Sequence, residues 1–565
     1  MKCPTQRQPL FSVRSAPHAR RGRPGAPTVA AGLFALFLIL YNLNGDFLVG
    51  NDAASNVYLP VSILEEGNLS FDPEEFPSMF SWRLETDDGA QTTVRIPSWN
   101  AAAIGRLTWG DLRDRGHLEV EDSDYYLVAS RDPERRGYAN TYGPGAGLMA
   151  LPFFAVQSLF VEDLASNRKA VWYGGKFVAA FCVAVSVALV FLTASRLVAT
   201  TFALAIAIAY GVGTCVWSGS SQTLWQSGPN VVFVSLAAYS LLRADAEGRD
   251  RLWAAVCGAA ATCAVVCRPT SALVVVAIGV YLVCVAVRRW RESPSTLSAL
   301  STARPLVAYI AAGLPVAIAL GAYNWYYLGS PWNFGQYEAG RRTAAFYTGS
   351  ADVWQTPFFE GFFGHLISPS RGMLVYSPIL AFAFWGLFRA WREPTLRPLR
   401  PLGVAVLVLL VLQSKWFGWH GGWSFGHRLM VDAAPLLALF GVAVASRIAA
   451  SRPLLYAFVS ALIWSVGVQV IGAYAYNVMG WNNRIAYEVP VPGRDKPVRL
   501  LDRDAAEGLA RAQSAAVREV QLGTDAEALR RRLWSLTDSQ LVYYATHFAE
   551  ARRAKKRYID GVLKH

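Results

Sequence analysis

Long apolar runs, several of them uncharged, alternate along the chain with short loops that carry much of its charge. Runs at 28–43, 171–195, 198–216, 229–243, 253–267, 269–287, 306–328, 373–390, 402–413, 429–447 and 454–475 are candidate membrane spans. Roughly 20 helical residues are needed to cross about 30 Å of hydrocarbon. A further run at 145–160 is short and is broken by Pro152, which predicts a re-entrant or surface-lying helix. The larger polar segments fall at 44–170, 217–228, 329–371, 414–428 and from 476 onward. In the first of these, the alternation across Trp82–Trp99 around Asp87-Asp88-Gly89 predicts a β-hairpin. The stretches 124–130 and 137–142, flanking 131–136, predict a second. The tail from Pro490 is rich in Arg, Ala and Glu and predicts a small helical extension, whose Arg552–Arg557 run is a solvated face or a contact for anionic lipid.

The expected fold class is therefore an all-α polytopic membrane protein of about eleven transmembrane helices, or twelve if 145–160 crosses. It divides into a basic N-terminus (1–27), a transmembrane domain (28–475) with a large first extracytoplasmic loop (44–170), and a polar C-terminal extension (476–565). Composition agrees, with 53% hydrophobic and 16% charged residues. The net charge of +13 does not point to nucleic acid, because the arginines are spread over short loops. With the N-terminus inside, Arg196, Arg243/Arg249/Arg251, Arg288/Arg289/Arg291/Arg304, Arg389/Arg392/Arg397/Arg400 and Arg447/Arg452 all fall on the cytoplasmic side. That sorting holds only if 145–160 does not cross, and it puts the C-terminus on the periplasmic side. Arg7, Arg14, Arg20, Arg21 and Arg23 precede the first run without a convincing cleavage site, as in an uncleaved anchor. The seven cysteines have neither metal-ligand nor disulfide spacing.

All the large polar segments then share one face. The first begins with Asp46 and Asp52, directly after the anchor. Gly50 and Asn51 offer a turn and an N-cap for a short amphipathic helix over Ala53–Leu64. Asp52 either caps that helix or serves as an active carboxylate. Other segments combine Gly/Pro breaks with aromatics and a basic residue: Tyr142-Gly143-Pro144-Gly145, Gly219–Pro229, Arg268-Pro269, Ser368–Pro378 and Trp419–Arg428. Arginine forks and free helix N–H groups at such breaks suit an anionic phosphate. Arg268, Arg371, Arg428 and His427 are the candidates. Arg268, set between two apolar runs with no acid near it in sequence, needs a polar cavity or partner unless it snorkels to the interface. Tyr142, Trp419, Trp423 and Asp46 are candidates for contacting a sugar or acceptor, although interfacial aromatics also collect in belts without function. No metal site has recognisable ligand spacing, which leaves a divalent cation open but unsupported.

The order of an anchor span, Gly50-Asn51-Asp52, and Tyr142-Gly143-Pro144-Gly145 opening an apolar run resembles the GT-C superfamily of membrane glycosyltransferases, over about 28–475. The bacterial protein mannosyltransferase and aminoarabinose transferase group is most similar; the 368–372 and 422–428 segments also resemble proteins of that type. The resemblance implies a polyprenyl-phosphate sugar donor, an inverting transfer on the periplasmic face of the bacterial inner membrane, and Asp52 as general base. It puts Arg268 near the lipid phosphate. A glycan, lipid or protein would be the acceptor. Tyr-Gly-Pro-Gly departs from the family's Pro-Pro pair, and the second acidic motif of protein mannosyltransferases is not recognisable. A secondary transporter or lipid flippase shares the gross pattern but would place acids within its spans. A non-catalytic envelope assembly protein would need none of the loop constellation.

Overall fold

The computed structural model describes residues 25–85, 91–95, 118–123, 127–130, 137–246, 250–292, 294, 296–492, 497–500, 503–523 and 525–564. The arginines before the anchor, the Asp87-Asp88-Gly89 turn, residues 131–136 and Arg249 lie outside the described residues.

The apolar runs of the sequence fall on helices. Among the described residues six helices are long and apolar enough to cross a membrane: Arg168–Ala194, Asp250–Cys267, Pro269–Glu292, Thr302–Leu328, Pro394–Lys415 and Arg452–Ala475. Ala26–Asn42, Gly145–Gln157, Thr200–Gly213 and Leu380–Ala390 are shorter apolar helices. The window of Arg168–Ala194 is 67% buried, against 17% for Thr302–Leu328 and for Arg452–Ala475. The first therefore forms the centre of the bundle. The other two form its perimeter, and Ile310, Ile318 and Ile463 face outward as lipid-facing side chains do. The helix containing Gly258 packs tightly on the one containing Tyr309, since a Cβ on Gly258 would collide with the Tyr309 carbonyl oxygen. Such small-residue contacts let helix backbones approach where lipid gives no hydrophobic drive for association.

Two expected spans are broken. The run 373–390 splits into Met373–Tyr376 and Leu380–Ala390. The run 429–447 is a 3-10 turn over Arg428–Ala433, a short helix Ala434–Phe440, a second 3-10 turn and Ala445–Ala450. Pro378 and Pro435, which have no N–H for an i−4 bond, sit at these interruptions.

Side-chain contacts sort the helix ends. At one end the Arg196 guanidinium lies 5.8 Å from the Tyr239 ring and that of Arg243 lies 3.9 Å from the Trp253 ring. At the other, Lys176 Nζ donates to the carbonyls of Tyr41 and Ser221 at 2.8 and 2.9 Å, and Ser271 Oγ donates to Asn230 Oδ1 at 2.8 Å. The helix Gly145–Gln157 has both its ends at this second face. Gly145 sits against the Val266–Cys267 backbone, and Gln157 Nε2 donates to the Ala170 carbonyl at 2.8 Å.

The same face carries the first large loop. Phe80–Glu85 pairs antiparallel with Gln91–Arg95, and Leu127–Ala129 with Tyr138–Asn140, which are the two expected hairpins. Each gains a third strand, Leu118–Ser123 for one and Ser70–Phe71 for the other. The C-terminal extension docks here too. It is not purely helical: Ile485–Val489 is flanked by Val498–Leu500 and Arg518–Gln521 in an antiparallel sheet, with alternating exposed and buried residues along its start. The helices Arg503–Gln513, Ala526–Leu533, Gln540–Thr546 and Phe548–Lys564 complete it. Within the basic 552–557 run, Lys555 is 2% exposed and its Nζ donates to the Ala473 carbonyl at 2.8 Å. That cation therefore faces the bundle, where neither lipid nor solvent reaches it.

Candidate functional site

The helix that follows the anchor spans Asn51–Glu65, starting two residues earlier than the sequence suggests. Gly50, in extended conformation, is its cap position, and no side chain caps it. Asn51 is thus a helical residue and not the N-cap, and Asp52 lies in the first turn. A carboxylate there is favoured by the free N–H groups and the positive end of the helix dipole.

Asp52 is held by two partners from distant segments. Its Oδ1 accepts a hydrogen bond from Trp225 Nε1 at 2.9 Å, and its Oδ2 pairs with the Arg428 guanidinium. The Arg428 Cζ lies 3.8 Å from the Trp225 ring centroid, so one indole donates to the acid and stacks on the base. Asp52 and Arg428 remain 14% and 15% exposed, within reach of a ligand at the face. Trp225 was visible in the Gly219–Pro229 segment, but its role was not; an indole among 19 tryptophans carries no signal until its neighbours are known.

A hydrogen-bonded frame fixes the segments that carry Asp52 and Trp225. Asn140 Oδ1 accepts from Ser55 Oγ at 3.0 Å and from the Tyr142 N–H at 2.9 Å, while its Nδ2 donates to Asn56 Oδ1 at 2.8 Å. Asn56 Nδ2 donates to the Leu224 carbonyl at 3.1 Å, next to Trp225. The helix bearing Asp52, the turn bearing Tyr142 and the loop bearing Trp225 are thereby locked together. Tyr142 is half-buried beside a cleft lined also by Tyr323, Asn324 and Phe334.

The other expected phosphate-binding residues are placed differently. Arg268 is 3% exposed and its Nη1 lies 2.7 Å from Asp432 Oδ2. It neither snorkels nor stands free, because an acid from the 428–433 turn neutralises it. Arg371 is 1% exposed. Its Nη1 donates to the Ser424 carbonyl at 2.6 Å and to Gln540 Oε1, and its Nη2 to the Gly422 carbonyl at 3.0 Å. Those donors are spent on the protein itself, so Arg371 braces a loop and does not face a ligand. His427 is buried beside Cys215, Nδ1 to Sγ 3.3 Å, and burial pushes its pKa down to about 3. It is neutral at ordinary pH and cannot act as a cationic phosphate ligand.

Trp419 is 4% exposed, packed edge-on to His365 and against Trp534, and so offers no free face to a sugar. Trp423 is half-buried at the edge of the same cluster. Asp46 is 7% exposed and lies in a separate polar pocket near Lys176 and Lys555, where its charge acts on both ammonium groups. Among the described residues no group of three or more His, Cys, Asp or Glu is placed to hold a metal ion.

Comparison with known proteins bears on the same region. Residues 149–311, which include Trp225 and Arg268, match the model of the family described as dolichyl-phosphate-mannose-protein mannosyltransferase. Asp52 and Arg428 fall outside the matched segment. No curated protein matches the chain. Among solved structures, ArnT from Cupriavidus metallidurans bound to undecaprenyl phosphate is 12% identical, with a TM-score of 0.43 over 95% of this chain and 77% of that one. The Archaeoglobus fulgidus oligosaccharyltransferase in complex with zinc and sulfate is 11% identical, with a TM-score of 0.42 over 81% of this chain and 54% of that one. This chain thus spans about half the length of the archaeal protein.

Proposed function

We propose that the protein is an integral membrane glycosyltransferase that moves a sugar from a polyprenyl-phosphate donor to an acceptor hydroxyl on the periplasmic face of the bacterial inner membrane. The observation that carries this reading is the partly open Asp52–Trp225–Arg428 constellation at the loop-rich ends of an apolar helix bundle. The family match over 149–311 supports the same class.

The resting pair suggests an order of events. While Arg428 holds Asp52 Oδ2, neither charge is free. A donor phosphate arriving at the face competes for the guanidinium, which binds phosphate oxygens in a bidentate fork. The carboxylate oxygen so released can accept the proton of an acceptor hydroxyl. As the acceptor's hydroxyl oxygen bonds to the anomeric carbon, the bond from that carbon to the phosphate oxygen breaks and its electron pair leaves with the polyprenyl phosphate. Arg428 then lies where the leaving charge develops, where a fixed cation is most effective. Trp225 keeps its hydrogen bond to Oδ1 throughout and orients the carboxylate. Arg268, through Asp432, holds the turn that begins at Arg428 instead of touching the phosphate.

The test is release of polyprenyl phosphate from a labelled polyprenyl-phosphate sugar by purified protein in liposomes. Release that depends on an added acceptor and on Asp52 upholds the reading. Movement of intact donor across the bilayer without cleavage would instead identify a flippase, and neither event would leave an assembly role.

A further inference from the structure

The C-terminal extension meets the site loop through side chains that include Tyr544, whose ring lies edge-on to Phe425 with 6.2 Å between centroids, and Gln540, which hydrogen-bonds the loop backbone. Gln540, the first residue of the helix Gln540–Thr546, is fully buried. Its Oε1 accepts from the Gly426 N–H at 3.2 Å and from Arg371 Nη1, and its Nε2 donates to the Ser424 carbonyl at 2.9 Å. Its own N–H is held by Ser370 Oγ at 3.2 Å. Gly421, Gly422 and Gly426 all have positive φ, at 75°, 64° and 65°, so the 421–426 loop is a conformation that its own sequence does not enforce. Something outside the loop must select it. Gly426 lies two residues before Arg428, so the loop's conformation bears directly on where Arg428 is delivered.

We propose that Gln540 is a positioning residue for the Asp52–Arg428 pair, fixing from the C-terminal extension the loop that delivers Arg428 to the site. The proposal rests on the reading of Arg428 as the donor-phosphate ligand. The extension thereby becomes part of the active machinery, and a chain lacking it would keep Asp52 but lose the placement of its partner. Arg371 and Ser370 act through the same contact.

The experiment compares the full-length protein with Gln540→Ala and Gln540→Glu in nanodiscs, and with Glu507→Gln on an exposed face of the extension as a control. Backbone hydrogen exchange over 421–428, thermal midpoint and affinity for undecaprenyl phosphate are read on each. Gln540→Ala should speed exchange at 421–428 and weaken undecaprenyl-phosphate affinity by about tenfold, the scale of one lost buried hydrogen-bonding hub. Gln540→Glu keeps an oxygen for the Gly426 N–H and Arg371 and should recover part of both losses. Glu507→Gln should move neither. Unchanged exchange in Gln540→Ala overturns the proposal, and so does faster exchange with unchanged affinity. An affinity loss shared by the control, or explained by a fall in thermal midpoint, also overturns it. If the wild-type protein does not bind undecaprenyl phosphate, the phosphate role of Arg428 fails separately, and the exchange data alone decide whether Gln540 holds the loop.

Discussion

Asp52 and Arg428 neutralise one another across most of the chain's length, with the Trp225 indole hydrogen-bonded to the acid and stacked beneath the base. An ion pair with only 14–15% exposure on each side is stable until a stronger partner for one member arrives. An arriving phosphate is such a partner, and the carboxylate is what it would free.

If Asp52 then accepts the acceptor's proton, Asp52→Asn should lower turnover by about 10²–10⁴-fold, the usual contribution of general-base catalysis. Affinity for polyprenyl phosphate should hold or rise, because the neutral amide competes less well for Arg428. Turnover within a few-fold of wild type in reconstituted liposomes would remove Asp52 from the mechanism.

Arg428→Ala should weaken polyprenyl-phosphate binding by about tenfold or more, since charge-assisted hydrogen bonds to a phosphate contribute roughly 1.5–3 kcal/mol. Arg428→Lys should fall between the two, because an ammonium keeps the charge but loses both the fork and the flat face that stacks on Trp225. Equal affinities for Arg, Lys and Ala at this position, measured by titration in detergent, would show that the phosphate binds elsewhere.

What was legible in the sequence follows from the range of the forces involved. Apolar runs, their lengths and the arginines between them are local properties, and they located the helices, the face shared by the polar loops and the acid at Asp52. The two hairpins were legible for the same reason, as alternation and turn residues lie next to each other in the chain. Partnerships were not. Nothing near Arg268 in sequence announces Asp432, and nothing near Arg371 announces Gln540, so both looked like cations waiting for a ligand. The structure shows that a buried arginine is as readily satisfied by carbonyls and a distant acid. Trp225 could not be told from any other interfacial tryptophan until the fold brought Asp52 and Arg428 to it.

Arg268 and Asp432 make a stability prediction. Arg268→Ala leaves a carboxylate buried without its counter-charge, and breaking such a pair costs about 3–5 kcal/mol. The double variant Arg268→Met, Asp432→Leu removes both charges and should recover much of that loss. Measured thermal midpoints in nanodiscs should therefore rank wild type and double variant close together, with Arg268→Ala well below. A double variant no more stable than Arg268→Ala would mean that the pair is not the chief source of the effect.

His427 links the site loop to pH. Burial, with a smaller effect from nearby His365, pushes its pKa down to about 3 from an ordinary 6.5. Between those values the unfolded chain takes up a proton that the folded protein refuses. The stability tied to neutral His427 is therefore complete above pH 6.5 and is lost as pH falls toward 3, at about 1.4 kcal/mol per pH unit. His420, also pushed down to about 3 by burial, and His365, pushed to about 4, act in the same direction. His427→Gln should thus flatten, without abolishing, the fall in stability between pH 6.5 and 4. Because His427 is neutral in the folded protein, the same variant should leave polyprenyl-phosphate affinity at pH 7 within about twofold, less than 0.5 kcal/mol. A variant that keeps the full acid slope would show that His427 is already protonated in the fold. One that loses phosphate binding would restore it as a ligand.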